Sequence, residues 1–152
     1  MQRRLFLTLT ASALAFGRMA RAGSFEINLS EAEWRDRLTD LQYRVLREAA
    51  TEPAGSSPLD AEHRPGTFAC AGCALPLFAS EAKFDSGTGW PSFFQPLAGA
   101  VGTRSDPGIF GSRTEVHCAR CGGHLGHVFD DGPPPTGKRY CMNGAALVFL
   151  AA

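Results

Sequence analysis

Two pairs of cysteines constrain this sequence more than any other feature. Each pair has the spacing CxxC, at residues 70–73 and 118–121. Two thiolates separated by two residues can turn toward one ion, and two such pairs complete a tetrahedral sulfur site. Gly72 and Gly122 allow the tight backbone that these turns need. The spacing predicts a structural zinc site that stabilises the fold without catalysing a reaction, with the ligands Cys70, Cys73, Cys118 and Cys121. A disulfide within each pair is the alternative in an oxidising compartment.

The remainder of the chain is typical of a β-rich domain. Its 152 residues suit one domain, and 17 glycines and 10 prolines favour short strands joined by turns over a helical bundle. We predict a mainly β fold of antiparallel sheets with an N-terminal helix. The candidate strands are the apolar runs at 67–69, 75–78, 109–110, 128–129 and 145–150, and a run around Val116.

One amphipathic helix is predicted before these strands. Ser30 and Glu33 have the spacing of a capping box, which marks the start of a helix. Pro53 and the Gly/Ser/Pro stretch after it mark the end, about 20 residues later. The apolar face that we expect to pack against the sheets consists of Trp34, Leu38, Leu41, Val45, Leu46 and Ala49.

The first 22 residues have the layout of an export signal. Arg3 and Arg4 precede an apolar stretch, and the segment ends in Ala-Arg-Ala, a small-x-small cleavage pattern. The adjacent arginines favour a twin-arginine signal, with an ordinary secretory signal as the alternative. We therefore expect a signal peptide at 1–22, a mature domain at 23–152 and a periplasmic location.

Charge and hydropathy exclude several kinds of partner. Residues 1–22 contain four arginines and no acid, so residues 23–152 hold 11 basic and 15 acidic residues, a net charge of −4. This balance argues against a nucleic-acid partner. No apolar run reaches the roughly 20 residues of a spanning helix, and no cysteine near the cleavage site provides a lipid anchor.

Cys141 is the cysteine that remains once four are assigned to metal. It could be an inert thiol just before the last strand. Its surroundings in the sequence favour reactivity, because His124, His127 and Asn143 are the residue types of a thiol-based site. The two histidines could instead bind a catalytic metal, although their Gly/Pro-rich context does not favour that. Trp90, taken alone, fits a core position as well as a substrate pocket.

Five sequence blocks together resemble the methionine-R-sulfoxide reductases of the B type, and the resemblance extends from Trp34 to Leu150. The blocks are TFACAGC (67–73), GWPSF (89–93), EVHCARC (115–121), HLGHVFDDGP (124–133) and RYCMN (139–143). The resemblance implies two antiparallel sheets with a small helical part. It also implies reduction of the R epimer of methionine sulfoxide in oxidised proteins or peptides. Recycling by a thioredoxin-like reductant and a monomeric state are further expectations.

The resemblance also assigns roles to individual residues. Cys141 is expected to attack the sulfoxide sulfur. His127 and Asn143, supported by His124 and Asp131, are expected to supply protons to the departing oxygen. Trp90 is expected to contact the methyl group on the sulfur.

Three positions depart from the family pattern. Thr88 stands where many members have a second, resolving cysteine, which predicts a one-cysteine mechanism. Gly144 stands where serine is common, and residues 54–59 replace a Pro-Phe pair; the sequence alone gives neither change a function. Two rival hypotheses are a zinc-stabilised peptide-binding module without catalysis and a thiol peroxidase that uses Cys141, although the latter leaves Trp90 poorly explained.

Overall fold

A computed structural model describes residues 25–108 and 111–152. The expected signal peptide at 1–22 and the candidate strand at 109–110 lie outside these residues. Among the helices that are described, none has the length and apolar character needed to cross a bilayer.

The N-terminal helix is two short helices, α1 (Glu31–Arg37) and α2 (Asp40–Glu48), so the prediction of one helix of about 20 residues is wrong. The capping box at Ser30 is confirmed. The break follows from a second capping box, in which the Thr39 hydroxyl accepts from the Gln42 amide and the Gln42 side chain accepts from the Thr39 amide. Leu38, between the two helices, is extended. The Thr-x-x-Gln signal is visible in the sequence.

This break changes which side chains face the core. Trp34, Leu38, Val45 and Leu46 are buried as expected. Leu41 is 42% exposed and Ala49 caps α2 in the left-handed conformation at the surface, so the predicted apolar face is wrong at these two positions. Because the helix restarts at Asp40, the apolar face of α2 points in a different direction from that of one continuous helix. Tyr43 is buried as well.

The remaining elements form two antiparallel sheets, which confirms the predicted fold class. One sheet has the strand order β2-β1-β9, and the other has the order β3-β4-β8-β7-β6-β5. The strands are β1 (Gly66–Cys70), β2 (Pro76–Ala79), β3 (Lys83–Phe84), β4 (Ser92–Phe93), β5 (Val101–Gly108), β6 (Gly111–Cys118), β7 (His124–Phe129), β8 (Arg139–Met142) and β9 (Leu147–Ala151). Short 3-10 helices occupy Pro58–Ala61, Ser80–Ala82 and Gly144–Ala146.

Aromatic side chains join the two sheets in the core. Phe68 of β1 and Phe78 of β2 both contact Phe93 of β4, with ring centroids 5.0 and 4.3 Å apart. All three are fully buried. Burying each such ring contributes about 2–3 kcal/mol, so this cluster fixes β4, and with it the neighbouring strand β8, against the smaller sheet.

The structure adds elements that the sequence pattern did not indicate. Strands β3, β4 and β8 are two to four residues long, too short for an alternating pattern to be recognised. Cys141 lies before the last strand as expected, and it does so inside a strand of its own, β8. The run 145–150 is divided, because a 3-10 helix ends at Ala146 and β9 begins at Leu147.

Candidate functional site

The four paired cysteines converge as predicted. Each CxxC pair begins at the last residue of a strand, β1 or β6, and forms a turn there. Each turn is closed by an equivalent backbone hydrogen bond. The Ala74 amide donates to the Cys70 carbonyl at 2.8 Å, and the Gly122 amide donates to the Cys118 carbonyl at 2.9 Å. The residues with left-handed backbone are Ala74 (φ 58°) and Gly122 (φ 67°). Gly72 therefore does not provide the conformational freedom that the sequence analysis attributed to it.

The sulfur positions fit a tetrahedral metal ion. All four sulfurs lie within 4.8 Å of one another. The Cys70 and Cys121 sulfurs are 3.7 Å apart, and those of Cys73 and Cys118 are 3.5 Å apart. Four thiolates at about 2.3 Å from a tetrahedral zinc are separated by about 3.8 Å from one another. The closest approaches are between the two pairs, and all five cysteines are free, so the geometry does not follow the alternative of one disulfide per pair.

Cys141 lies in a row of side chains that cross-strand pairing places on one face of the larger sheet. On one side it is paired with His127 of β7, and on the other with Ser92 of β4. Directly paired residues have their Cβ atoms about 5 Å apart on the same face. The row continues from His127 to Glu115 of β6 and then to Arg104 of β5. The register of five strands therefore assembles the site.

Hydroxyl groups surround the Cys141 thiol on the side away from His127. The Thr88 Oγ1 lies 3.9 Å from the Cys141 sulfur. The Ser86 hydroxyl is 2.8 Å from that of Thr88 and 2.7 Å from that of Ser92. Burial raises the pKa of the Cys141 thiol, and its hydrogen bonds and the charge of Arg139 only partly offset this. The resting side chain is therefore a protonated thiol at neutral pH.

A cavity of about 210 Å³ opens above this thiol. It brings together four of the expected site residues, Trp90, His127, Cys141 and Asn143. Thr51 and Arg113 also line it. The Trp90 ring is held by a 3.1 Å hydrogen bond from its Nε1 to the Glu52 carbonyl.

His127 is oriented by Asp106, which the sequence analysis did not select. The His127 Nε2 lies 2.8 Å from the Asp106 carboxylate, and Arg113 donates to the same carboxylate at 2.9 Å. The hydrogen bond to His127 lowers the pKa of Asp106, so the carboxylate is ionised and accepts from Nε2. The other ring nitrogen, Nδ1, remains available for chemistry.

His124 lies behind His127, 5.4 Å away between ring centroids, and does not line the cavity. Its Nδ1 is 2.8 Å from the Glu115 carboxylate. Burial lowers the pKa of His124, so the ring is neutral. Burial opposes ionisation of Glu115, but hydrogen bonds with Arg104 and His124 lower its pKa nevertheless. The Nε2 of His124 has no hydrogen-bond partner among the described residues.

Asn143 and Asp131 differ in their placement. Asn143 is buried; its Nδ2 donates to the Leu125 carbonyl at 3.0 Å, and its Oδ1 accepts from the Glu52 amide at 3.0 Å. Asp131 lies outside the cavity, in a two-point ion pair with Arg139 at 2.9 and 2.8 Å. Because Arg139 is the charged residue that favours the Cys141 thiolate, Asp131 contacts the site only through that guanidinium.

The sequence contains a pattern that could have identified the charged site residues that the sequence analysis did not select. Arg104 and Asp106 alternate in β5, and Arg113 and Glu115 alternate in β6. Charged residues at every second position of two adjacent strands occupy one face of a sheet. That alternation predicts a charged surface, but only the pairing of β6 with β7 shows that this surface contacts two histidines.

The fold and the site define a two-sheet domain with a lone thiol in a cavity and a separate four-cysteine metal site. Residues 38–151 match the SelR domain family. The chain is 51% identical over 132 residues to the peptide methionine sulfoxide reductase MsrB of Agrobacterium fabrum, covering 86% of this chain and 98% of the relative. It is 57% identical over 119 residues to MsrB of Bradyrhizobium diazoefficiens, covering 78% and 86%.

A plant relative agrees with these. The chloroplastic peptide methionine sulfoxide reductase B1 of Arabidopsis thaliana is 54% identical over 121 residues, covering 79% of this chain and 60% of the relative. The chain belongs to the SelR family of MsrB-type proteins.

Proposed function

We propose that this protein reduces the R epimer of methionine sulfoxide in proteins, with Cys141 as the nucleophile. The observation that carries the proposal is the cavity in which the Cys141 thiol faces Trp90 and His127. A lone thiol beside an aromatic ring and a carboxylate-paired histidine suits a substrate with a polarisable sulfur and a basic oxygen. The MsrB proteins named above are called peptide methionine sulfoxide reductases.

In the proposed reaction, the Cys141 thiol gives up its proton as its sulfur bonds to the sulfoxide sulfur, and the sulfoxide oxygen takes up one proton. The sulfur–oxygen bond of the substrate and the new sulfur–sulfur bond then break as the hydroxyl passes to the Cys141 sulfur, so methionine leaves and Cys141 remains as a sulfenic acid. The substrate sulfur gains two electrons and the cysteine sulfur loses two. Trp90 provides the wall against the S-methyl group, because an indole face stabilises a sulfur centre that becomes positive on protonation of its oxygen.

His127 is the proton donor in this scheme. With Nε2 committed to Asp106, the proton is donated from Nδ1 of the imidazolium. The Asp106 carboxylate accepts from Nε2 and orients the ring, and Arg113 holds the carboxylate in place. Asn143 forms part of the cavity wall, and His124 packs against His127. Asp131 acts on the Cys141 thiolate only through its ion pair with Arg139.

The metal in the four-cysteine cluster is proposed to be zinc. Four thiolates in tetrahedral arrangement are the donor set of structural zinc sites, and a closed site leaves no position for substrate. Its ligands terminate β1 and β6, one strand from each sheet, so the ion joins the two sheets. Loading of zinc before export through a twin-arginine route agrees with reduced thiols in a periplasmic protein.

Recycling is proposed to depend on an external thioredoxin-like reductant. The side chain next to Cys141 at the position of a resolving cysteine is Thr88, and the other four cysteines belong to the metal cluster. Substrate added without reductant should therefore convert one sulfoxide per chain and leave one dimedone-reactive group on Cys141. An internal disulfide between Cys141 and a cluster cysteine, with release of zinc, would contradict this.

Turnover of separated S and R sulfoxide epimers with dithiothreitol tests the proposed function. We expect turnover of the R epimer only, and none with Cys141→Ser. The alternative, a peptide-binding module without catalysis, is supported instead if neither epimer is reduced while Cys141→Ser still binds oxidised peptide.

A further inference from the structure

Glu52 is a buried acidic residue that the proposed reaction does not use. It is 2% exposed. Its carboxylate accepts from the Gly144 amide at 2.5 Å and from the Ala145 amide at 2.9 Å. No basic side chain pairs with it in the part of the chain that is described. A carboxylate buried in this way is stabilised by its hydrogen bonds, so the segment after β8 and the segment around Glu52 are held together.

The main chain of the same residue contacts two walls of the Cys141 cavity. The Glu52 amide donates to Oδ1 of Asn143 at 3.0 Å. The Glu52 carbonyl accepts from Nε1 of Trp90 at 3.1 Å. Glu52 therefore links Trp90, which comes before β4, with the turn that follows Cys141. Without its carboxylate, the backbone that makes these two contacts loses its attachment to residues 144 and 145.

Two departures from the family pattern meet at this carboxylate. A Cβ atom added to Gly144 would overlap the side chain of Ser57 and would lie 3.2 Å from the Glu52 Oε1. Ser57 belongs to the altered segment 54–59 and caps the 3-10 helix Pro58–Ala61. The absence of a side chain at residue 144, beside Glu52, thus leaves room for Ser57.

We propose that Glu52 is a positioning residue for substrate, on the basis of the reductase activity proposed above. Its carboxylate fixes the Gly144 and Ala145 amides, and its backbone thereby sets the distance between Trp90 and Asn143. The cavity keeps the width that fits the methyl group and the oxygen of the sulfoxide. Misplacement of positioning groups by about 1 Å can cost up to a hundredfold in rate.

The test is Glu52→Gln, which keeps the shape of the side chain. One of the two oxygens that accept from the Gly144 and Ala145 amides is replaced by an NH2 group, which cannot accept. We expect KM for a methionine-R-sulfoxide peptide to rise about tenfold. Alkylation of Cys141 by iodoacetamide should stay within twofold of wild type, because the thiol contacts Thr88 and Ser92 on other elements. A merely destabilised protein would instead lose kcat through a smaller folded fraction, with KM unchanged. The matched control is Glu31→Gln, an exposed acid paired with Arg35.

A second variant keeps the proposal testable if Glu52→Gln does not fold. Gly144→Ala forces residue 144, whose amide Glu52 holds, away from Ser57. It should raise KM similarly, while addition of Ser57→Gly should restore it. KM within twofold of wild type for Glu52→Gln, or for Gly144→Ala when Glu52→Gln does not fold, would overturn the role of Glu52. Absence of R-epimer turnover in the wild type would overturn the proposed function instead.

Discussion

The four-cysteine cluster and the Cys141 cavity show how the same side chain acquires two different chemistries. In the cluster, four sulfurs lie within 4.8 Å of one another, an arrangement that favours a cation. In the cavity, one sulfur faces hydroxyls, a histidine and a tryptophan. Each half of the first arrangement is a local turn, and the packing of the two sheets brings the halves together. The second comes from strand pairing across a six-stranded sheet.

The sharpest way to separate the two regions is to remove Cys141. Because Cys141→Ser deletes the nucleophile, turnover should fall at least about a thousandfold. The melting temperature should change little, since the thiol lines a cavity and holds no element in place. Circular dichroism melting and R-epimer turnover measure the two effects. Residual turnover above one per cent would assign the nucleophile to another residue.

Removal of a cluster cysteine should have the reverse pattern. Cys73→Ser leaves three ligands, and metal binding at such sites supplies about 10–16 kcal/mol of apparent folding free energy. Losing part of that should lower the melting temperature by about 10 °C or more. Metal content by elemental analysis should fall from one ion per chain. Variant protein that is still folded at the assay temperature should keep the wild-type KM. The structural metal site would be refuted if Cys73→Ser did not change the melting temperature and the wild type contained no metal.

Asp106→Asn sharpens the comparison by changing a charge that lies behind His127 and does not line the cavity. The amide no longer offers Nε2 the charged acceptor that orients His127, so kcat should fall about tenfold or more. Alkylation of Cys141 should not change, because Asp106 contacts His127 and Arg113 and not the thiol. An equal loss of both rates would show that Asp106 acts on the fold as a whole.

The smallest effect concerns the pH dependence of Cys141. Burial raises its folded pKa above the ordinary 9.0, so the protonated thiol is favoured and reactivity appears only as pH rises through the higher value. The iodoacetamide rate should therefore have a midpoint above pH 9. Thr88→Val removes a hydroxyl that lowers this pKa and should move the midpoint further up. A midpoint near pH 7 in the wild type would contradict the effect of burial.

Short sequence motifs were sufficient to predict some local structures of this molecule. The CxxC spacing predicted the cluster because each pair needs only its own turn, and the capping box at Ser30 predicted the start of α1. The end of the helix was missed because a second capping box at Thr39 interrupts a continuous apolar pattern. Strand β8 was missed because its four residues carry no readable alternation.

The sequence by itself determined which residue types are available for chemistry and which local turns form. It supplied four cysteines in two pairs, one further cysteine, and Thr88 in place of a resolving thiol. Only the tertiary structure decided that Cys141 lies between His127 and Ser92, that Asp106 orients His127, and that Glu52 joins Trp90 to Asn143. The physical reason is that turns and caps depend on neighbours in the chain. Strand register and the hydrogen bonds of a buried carboxylate depend on residues up to about 90 positions away.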